Sequence, residues 1–208
     1  MKHIETTLIT SGIKVIAGVD EAGRGPCAGP LVVASVILKD PFAPELSKVR
    51  DSKELSEKLR EELFEVVIDQ AIAYSIIEIS VEEIDSFGLH KSNLEGMRRA
   101  VNSLAIVPEY VLTDGYAIEG LAIPNLAVWK GDQVAISISA ASILAKVYRD
   151  REMVKLDIKY PGYGLAKHKG YITAVHTKAL GELGVTDIHR KSFANIAALI
   201  ATNGIIDT

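Results

Sequence analysis

Apolar and polar positions along this chain switch between two periods, and the switches lay out its elements. Residues 14–20 and 31–38 are short β-branched runs joined by the glycine- and proline-rich link 21–30, which predicts two neighbouring strands and a loop. Over 55–70 the apolar residues Leu55, Leu59, Leu63, Val66 and Val67 recur at helical spacing among charges, so an amphipathic helix is expected, with Asp51 or Ser52 capping its approach. Residues 72–79 predict a third strand. Ser80, with Glu83 three residues later, is a capping pair for a short helix. Another helix over 89–104 ends before Pro108. Residues 110–113 predict a buried strand stopping at Asp114-Gly115, and 126–129 a fifth strand stopping at Gly131-Asp132. Trp129 and Tyr110 are expected in the core. A long helix over 137–159 is closed by Pro161, and 173–183 and 192–201 predict later helices. Strands first, then strands alternating with helices, predict a mixed α/β sheet.

Length and composition add limits. The 208 residues are 48% hydrophobic and 24% charged, which fits one large globular domain, or one with a small appendage. Cys27 is the only cysteine, so there is no disulfide framework and no cysteine-rich zinc site, and a reducing compartment is compatible with it. It is expected to be a small buried or loop residue. Lys2 and Glu5 interrupt the start of the chain, and the longest uncharged stretch, 192–206, is too short to cross a bilayer and holds Asn195 and Asn203. A soluble, cytoplasmic protein with no membrane partner is expected. The net charge of −4 argues mildly against a polyanionic partner. Its distribution argues the other way. Residues 146–191 hold ten Lys/Arg against five Asp/Glu, a local +5 that leaves −9 elsewhere. Such a segment can be a phosphate-binding face, although on charge alone a solvated helical face is the better reading.

The candidate chemistry lies in four carboxylates at or just beyond strand ends: Asp20, Glu21, Asp114 and Asp132. Strand ends are where catalytic groups gather in α/β sheets. Converging carboxylates raise one another's pKa, a bound cation relieves this, and hard oxygen ligands select magnesium or manganese over zinc. Two such ions, roughly 4 Å apart, stabilise the attacking and leaving oxygens of a phosphoryl displacement. Taken singly, Asp114-Gly115 and Gly131-Asp132 are better read as turn formers. The adjacent pair Asp20-Glu21, at the end of a buried strand, is harder to explain that way.

The most specific stretch is 18–30, Gly-Val-Asp-Glu-Ala-Gly-Arg-Gly-Pro-Cys-Ala-Gly-Pro. No Gly-Lys-Ser/Thr follows, so it is no P-loop, and three residues rather than two separate Gly25 from Gly29, so it is no dinucleotide fingerprint. Gly23 and Gly25 let the backbone approach a ligand, and Arg24 between them can reach a phosphate. Asp-Glu-Ala-Gly-Arg-Gly-Pro at 20–26 resembles the signature of bacterial ribonuclease HII, the type 2 ribonuclease H. So do Asp51-Ser52-Lys53, Asp114-Gly115, Lys130-Gly131-Asp132, the run from Ala140 to Val147, Arg149-Asp150, His168-Lys169-Gly170-Tyr171, His176 and His189-Arg190-Lys191-Ser192-Phe193. The motifs follow the family's order from about Ile16 to about Leu199. Thr113 stands where many members have Val, a difference expected to affect packing only.

The resemblance implies a ribonuclease H-like fold, a five-stranded mixed sheet flanked by helices with a helical C-terminal portion. It implies a single domain over 1–208, of which about 160–208 is a helical appendage. It implies that Asp20, Glu21, Asp114 and Asp132 are the catalytic metal ligands, for Mg2+ or Mn2+. The implied partners are RNA–DNA hybrids and ribonucleotide-containing duplex DNA, cut 5′ to the ribonucleotide to leave 3′-hydroxyl and 5′-phosphate ends, by a monomer. Gly23, Arg24, Gly25, Lys53, Ser142, Lys146 and Tyr171 match substrate-contacting positions. For Lys53 an exposed lysine near a helix start is an equal reading. Ser142 and Lys146, four apart on one helix face, can both meet a DNA strand, or can be a packing serine and a solvated lysine. Tyr171 matches the tyrosine that bonds the 2′-hydroxyl and stacks on the next deoxyribose; without the resemblance, packing under the following helix would be an equal reading. Asp150 is assigned to helix ion pairing beside Arg149 and Arg151, and His168, His176 and His189 to structural hydrogen bonds. Competing expectations are another nuclease of the fold, such as a resolvase or a type 1 ribonuclease H, and an inactive nucleic-acid-binding module; the second predicts a lost acid, and all four are present.

Overall fold

The computed structural model describes residues 4–203. Lys2 and the end of the uncharged stretch, from 204 on, lie outside the described residues. In chain order the elements are α1 (Ile4–Thr10), β1 (Ile16–Ala22), β2 (Leu31–Leu38), α2 (Glu57–Gln70), β3 (Ala71–Ile79), α3 (Val81–Phe87), α4 (Leu89–Asn102), β4 (Tyr110–Asp114), β5 (Asn125–Val128), α5 (Ile136–Lys159), α6 (Leu165–His168), α7 (Ala174–Leu183) and α8 (Ala194–Asn203). The five strands make one sheet in the order β3-β2-β1-β4-β5. β1 pairs antiparallel with β2, and β2 with β3, whereas β1–β4 and β4–β5 are parallel. The C-terminal ends of β1, β4 and β5 therefore point the same way.

Both faces of this mixed sheet are covered. Val32, Ala34 and Val36 of β2 pack on Leu63, Phe64 and Val67 of α2 and on Ile143 and Leu144 of α5. On the opposite face, Val33 and Ile37 join Ala17 and Val19 of β1 against Met97, Ala100 and Val101 of α4. That double burial is why 31–38 is apolar at every position but Ser35 rather than alternating. Gly18 lets α5 lie on β1, since a Cβ there would sit 2.1 Å from the carbonyl carbon of Ser137. The Glu5 carboxylate accepts from both the backbone N–H and the hydroxyl of Ser137, each at 2.9 Å, and so caps the first turn of α5. Beyond α5, residues Tyr163, Leu165, Leu180, Ile188 and Ile196 form a separate cluster with Met153 and with Cys27 and Ala28 of the β1–β2 loop. The C-terminal helices thus close over that loop.

Several expectations need correction. The cap of α2 is Ser56, whose hydroxyl accepts from Leu59 N–H; Asp51 instead caps its own 3-10 turn over Ser52–Glu54. Ser80 caps α3 as expected, accepting from Glu83 N–H. Trp129 is not in the core: it stands just past β5 and is 83% exposed. Tyr110 is half-buried against Ile16, Leu112 and Ile138. Cys27 is buried. No helix among the described residues is long and apolar enough to cross a membrane.

Candidate active site

The parallel register sets the acids side by side. Val19 of β1 pairs with Thr113 of β4, so the next residues stand on neighbouring strands, Asp20 two residues before the end of β1 and Asp114 at the end of β4, and Asp114 pairs with Val128 of β5. After β5, Lys130 turns the chain through a left-handed conformation (φ 54°) into a 3-10 turn that carries Asp132. The Gly131 N–H donates to Asp114 Oδ1 at 2.8 Å, and the Glu21 N–H to Asp20 Oδ1 at 2.7 Å. Thr113, expected to affect packing only, donates its buried hydroxyl to the Tyr116 carbonyl at 2.6 Å and so shapes the turn after Asp114.

These acids are crowded and partly dehydrated. Burial first, then the carboxylates of Glu21 and Asp114, hold Asp20 well above the usual carboxylate range. Burial also raises Glu21, with Asp114 adding to it and Arg24 opposing. Asp132 is pushed up to about 6 by burial, then by Asp51 and Asp114. Burial would lower Lys53, yet Asp51, Asp20, Asp132 and Asp114 raise it. Asp51, a capping candidate and part of the Asp51-Ser52-Lys53 motif in the sequence, thus also stands close enough to Asp132 to raise it. The all-oxygen donor set fits a hard divalent cation, and the buried Glu21 Oε2 lacks a hydrogen-bond partner. Among the described residues no three acidic, histidine or cysteine side chains already meet as a closed cage; Glu21, Asp114 and Asp132 line an open cleft of about 450 Å3.

A second cleft, of about 500 Å3, adjoins the first, and the two share Glu21, Arg24 and Lys53. Its walls are cationic: Arg60 and Lys146 face Tyr171 and the glycine loop. Gly25 lies against Tyr171, where a Cβ would be 3.2 Å from the ring. Tyr171 is half exposed, not packed under the following helix. Arg24 pairs with Glu21 at 3.3 Å, donates to Tyr116 Oη at 3.0 Å and lies over the Tyr116 ring. Ser142 is buried, with its hydroxyl 2.8 Å from that of Ser52. Asp150 does form helix ion pairs, but with Lys146 at 2.7 Å, and it also faces Arg60 at 3.8 Å. Its neighbour Arg151 pairs with Glu61 instead, and Arg149 turns inward.

Two buried arginines fix the glycine loop. Arg149 donates to the carbonyls of Pro30, Ala28 and Lys169, and Arg190 to those of Gly29 and Arg24. Burial pulls them down to about 10 and, with help from Arg149, about 9, so both remain charged at neutral pH. Gly23 (φ +99°) is required here, because a Cβ would strike Arg149 Nε at 2.1 Å. Lys169 and Tyr171 share a loop, so Arg149 ties that loop to the glycine loop. The pairing itself is hidden in the sequence, since the acceptors are backbone carbonyls and all but that of Lys169 lie more than a hundred positions away. The three histidines are structural, as expected. Thr186 N–H can only donate, so His189 Nδ1 accepts it at 3.1 Å and the His189 proton sits on Nε2, 3.2 Å from His176 Nε2. His176 Nδ1 then donates to the Tyr171 carbonyl at 3.0 Å.

Comparisons with known proteins place the chain in a family. The family model for ribonuclease HII matches residues 17–196. The ribonuclease HII of Salinispora arenicola is 51% identical over 201 residues, covering 97% of this chain and 75% of that one. The ribonuclease HII of Nocardia farcinica is 53% identical over 196 residues, covering 94% and 78%. Among solved structures, the ribonuclease H2 of Pyrococcus horikoshii superposes with a TM-score of 0.78 at 30% identity, covering 90% of this chain and 98% of that one. The chain belongs to the ribonuclease HII family and is a metal-dependent endoribonuclease.

Proposed function

We propose that the protein hydrolyses the RNA strand of RNA–DNA hybrids and incises duplex DNA 5′ to single embedded ribonucleotides, leaving 3′-hydroxyl and 5′-phosphate ends. The observation that carries this reading is the contact of Gly25 with the Tyr171 ring beside the acid cleft. The 2′-hydroxyl is the only handle that separates ribose from deoxyribose, and it donates as well as accepts. A glycine backbone can approach it, and the Tyr171 hydroxyl can bond it from the other side.

In this reading Asp20, Glu21, Asp114 and Asp132 hold Mg2+ or Mn2+. Divalent cations held there supply electrostatic stabilisation of the attacking and leaving oxygens of the phosphodiester. Lys53, at the boundary of the two clefts, neutralises the phosphate next to the cut. Arg24 exchanges its Glu21 contact for a phosphate. Lys146 meets the DNA strand, and Ser142 acts behind it by holding Ser52. The Tyr171 ring stacks on the deoxyribose that follows, which disfavours ribose there and selects the junction.

The test is a duplex with one ribonucleotide, incubated with Mg2+, with Mn2+ and with EDTA, and mapped at nucleotide resolution. A single cut 5′ to the ribonucleotide with either metal and none in EDTA is expected. Cutting in EDTA, or ends bearing 3′-phosphate, would overturn the reading.

A further inference from the structure

Trp129 has no part in the chemistry assigned so far, and its position is unusual. It is the only tryptophan of the chain and is 83% exposed. Isolated exposed aromatics are ordinary on protein surfaces; Phe87, at 65%, is another, and it lines a different cleft that none of the four acids reaches. Trp129 differs because it lines the acid cleft together with Asp114, Lys130 and Asp132. Its own neighbours force it outward. Val128 is buried against Leu112 and Ile138, and the chain leaves the sheet there, which places Trp129 in the turn just beyond β5.

The backbone around it is also fixed. Gly115 N–H donates to the Val128 carbonyl at 3.0 Å, Gln133 N–H to the Lys130 carbonyl at 3.0 Å, and Gly131 N–H to Asp114. The indole is therefore presented from a pinned turn beside the acids. Among the described residues neither its ring nor its N–H has a partner. The side chains around it at the cleft suit a polyanion with flat apolar faces. Lys130, Lys53 and Arg24 supply positive charge, and Tyr116 supplies a second ring. A rigid aromatic among cations is how proteins hold nucleic-acid strands through sugar and base faces.

We propose that Trp129 is a substrate-binding residue, whose indole packs on the sugar or base face of the nucleotide lying on the Asp132 side of the acid cleft. The inference rests on the nuclease reading above, and one experiment separates the two. Trp129 is the chain's only tryptophan, so its fluorescence reports this position alone. The protein is titrated with an RNA–DNA hybrid in EDTA, which withholds the ions needed for cutting, while anisotropy of a label on the hybrid measures binding independently.

Trp129 emission should change, and its quenching by acrylamide should fall, with the same midpoint as the anisotropy. Trp129→Ala should weaken binding about ten-fold, with the loss also appearing in KM, and Trp129→Phe should recover most of it, as expected for one aromatic stacking contact. Circular dichroism checks that the variants are folded. Binding by anisotropy with Trp129 still fully open to acrylamide would overturn this inference alone, as would wild-type affinity in folded Trp129→Ala. If the wild type neither binds nor cuts the hybrid, the nuclease reading falls, and this inference with it.

Discussion

The Gly131 N–H donates to Asp114 Oδ1 at 2.8 Å, so the turn that carries Asp132 is tied to the end of β4. Asp114 thus has two tasks, a charge and an acceptor, and two substitutions separate them. Asp114→Asn keeps the acceptor and removes one of the crowded charges, so it should unfold at or above the wild-type temperature while cleavage falls to background. Asp114→Ala leaves the buried Gly131 N–H without a partner and should in addition cost about 1–3 kcal/mol of stability. Thermal unfolding and a hybrid-cleavage assay on both variants decide it. Wild-type cutting by Asp114→Asn would remove Asp114 from the metal site.

The histidine pair makes stability depend on pH with a definite sign. Burial, then His176, pulls His189 down from its ordinary value to about 4. The folded protein refuses a proton that the unfolded chain accepts below about pH 6.5. This contribution is present above pH 6.5 and is lost as pH falls toward 4, on the order of 3 kcal/mol from His189. Carboxylate titration adds to the wild-type curve, so the difference from a variant is what counts. Denaturant unfolding of wild type and His189→Gln between pH 7 and 4 should give a shallower slope for the variant. Parallel curves would contradict the neutral His189–His176 chain.

The basic segment 146–191 is less available to nucleic acid than its charge suggests. Arg149 and Arg190 are buried, Lys146 pairs with Asp150, Lys155 with Glu152, Lys169 with Glu57 and Lys178 with Glu182. Affinity for a hybrid should still fall with salt, because phosphate contacts release counterions. The slope should follow the cleft lysines. Lys53→Met should reduce the slope of log affinity against log salt by about one, and Lys178→Met should leave it unchanged. Equal effects of the two would place the strand elsewhere.

Local chemistry explains which features could be read in advance. Ser80 with Glu83, the unbroken apolar run of β2 and the acids at strand ends each carry their own signal. Trp129 misled because 126–129 reads as a buried strand, whereas β5 is the sheet's edge strand and ends at Val128, which leaves Trp129 in the exposed turn beyond it. Helix α1 was unforeseen because its anchoring comes from Glu5 meeting Ser137, a contact between distant residues. The Arg149 and Arg190 brace is hidden for the same reason, since a backbone carbonyl has no sequence signature.

The most direct measurement changes the substrate at a single atom position. Duplexes identical but for one nucleotide carry ribose, 2′-deoxyribose or 2′-O-methylribose there, and are offered with Mg2+ to wild type, Tyr171→Phe and Tyr171→Ala. Wild type should cut only the ribose duplex, 5′ to that nucleotide. Tyr171→Phe keeps the ring and should be about ten-fold slower, the value of one hydrogen bond. Tyr171→Ala should be slower still and, with an all-RNA hybrid offered beside the ribose duplex, should lose the preference for a single ribonucleotide over the all-RNA strand. Equal cutting of the deoxyribose duplex by wild type, or a folded Tyr171→Ala that cuts both substrates at the wild-type ratio, would contradict the account.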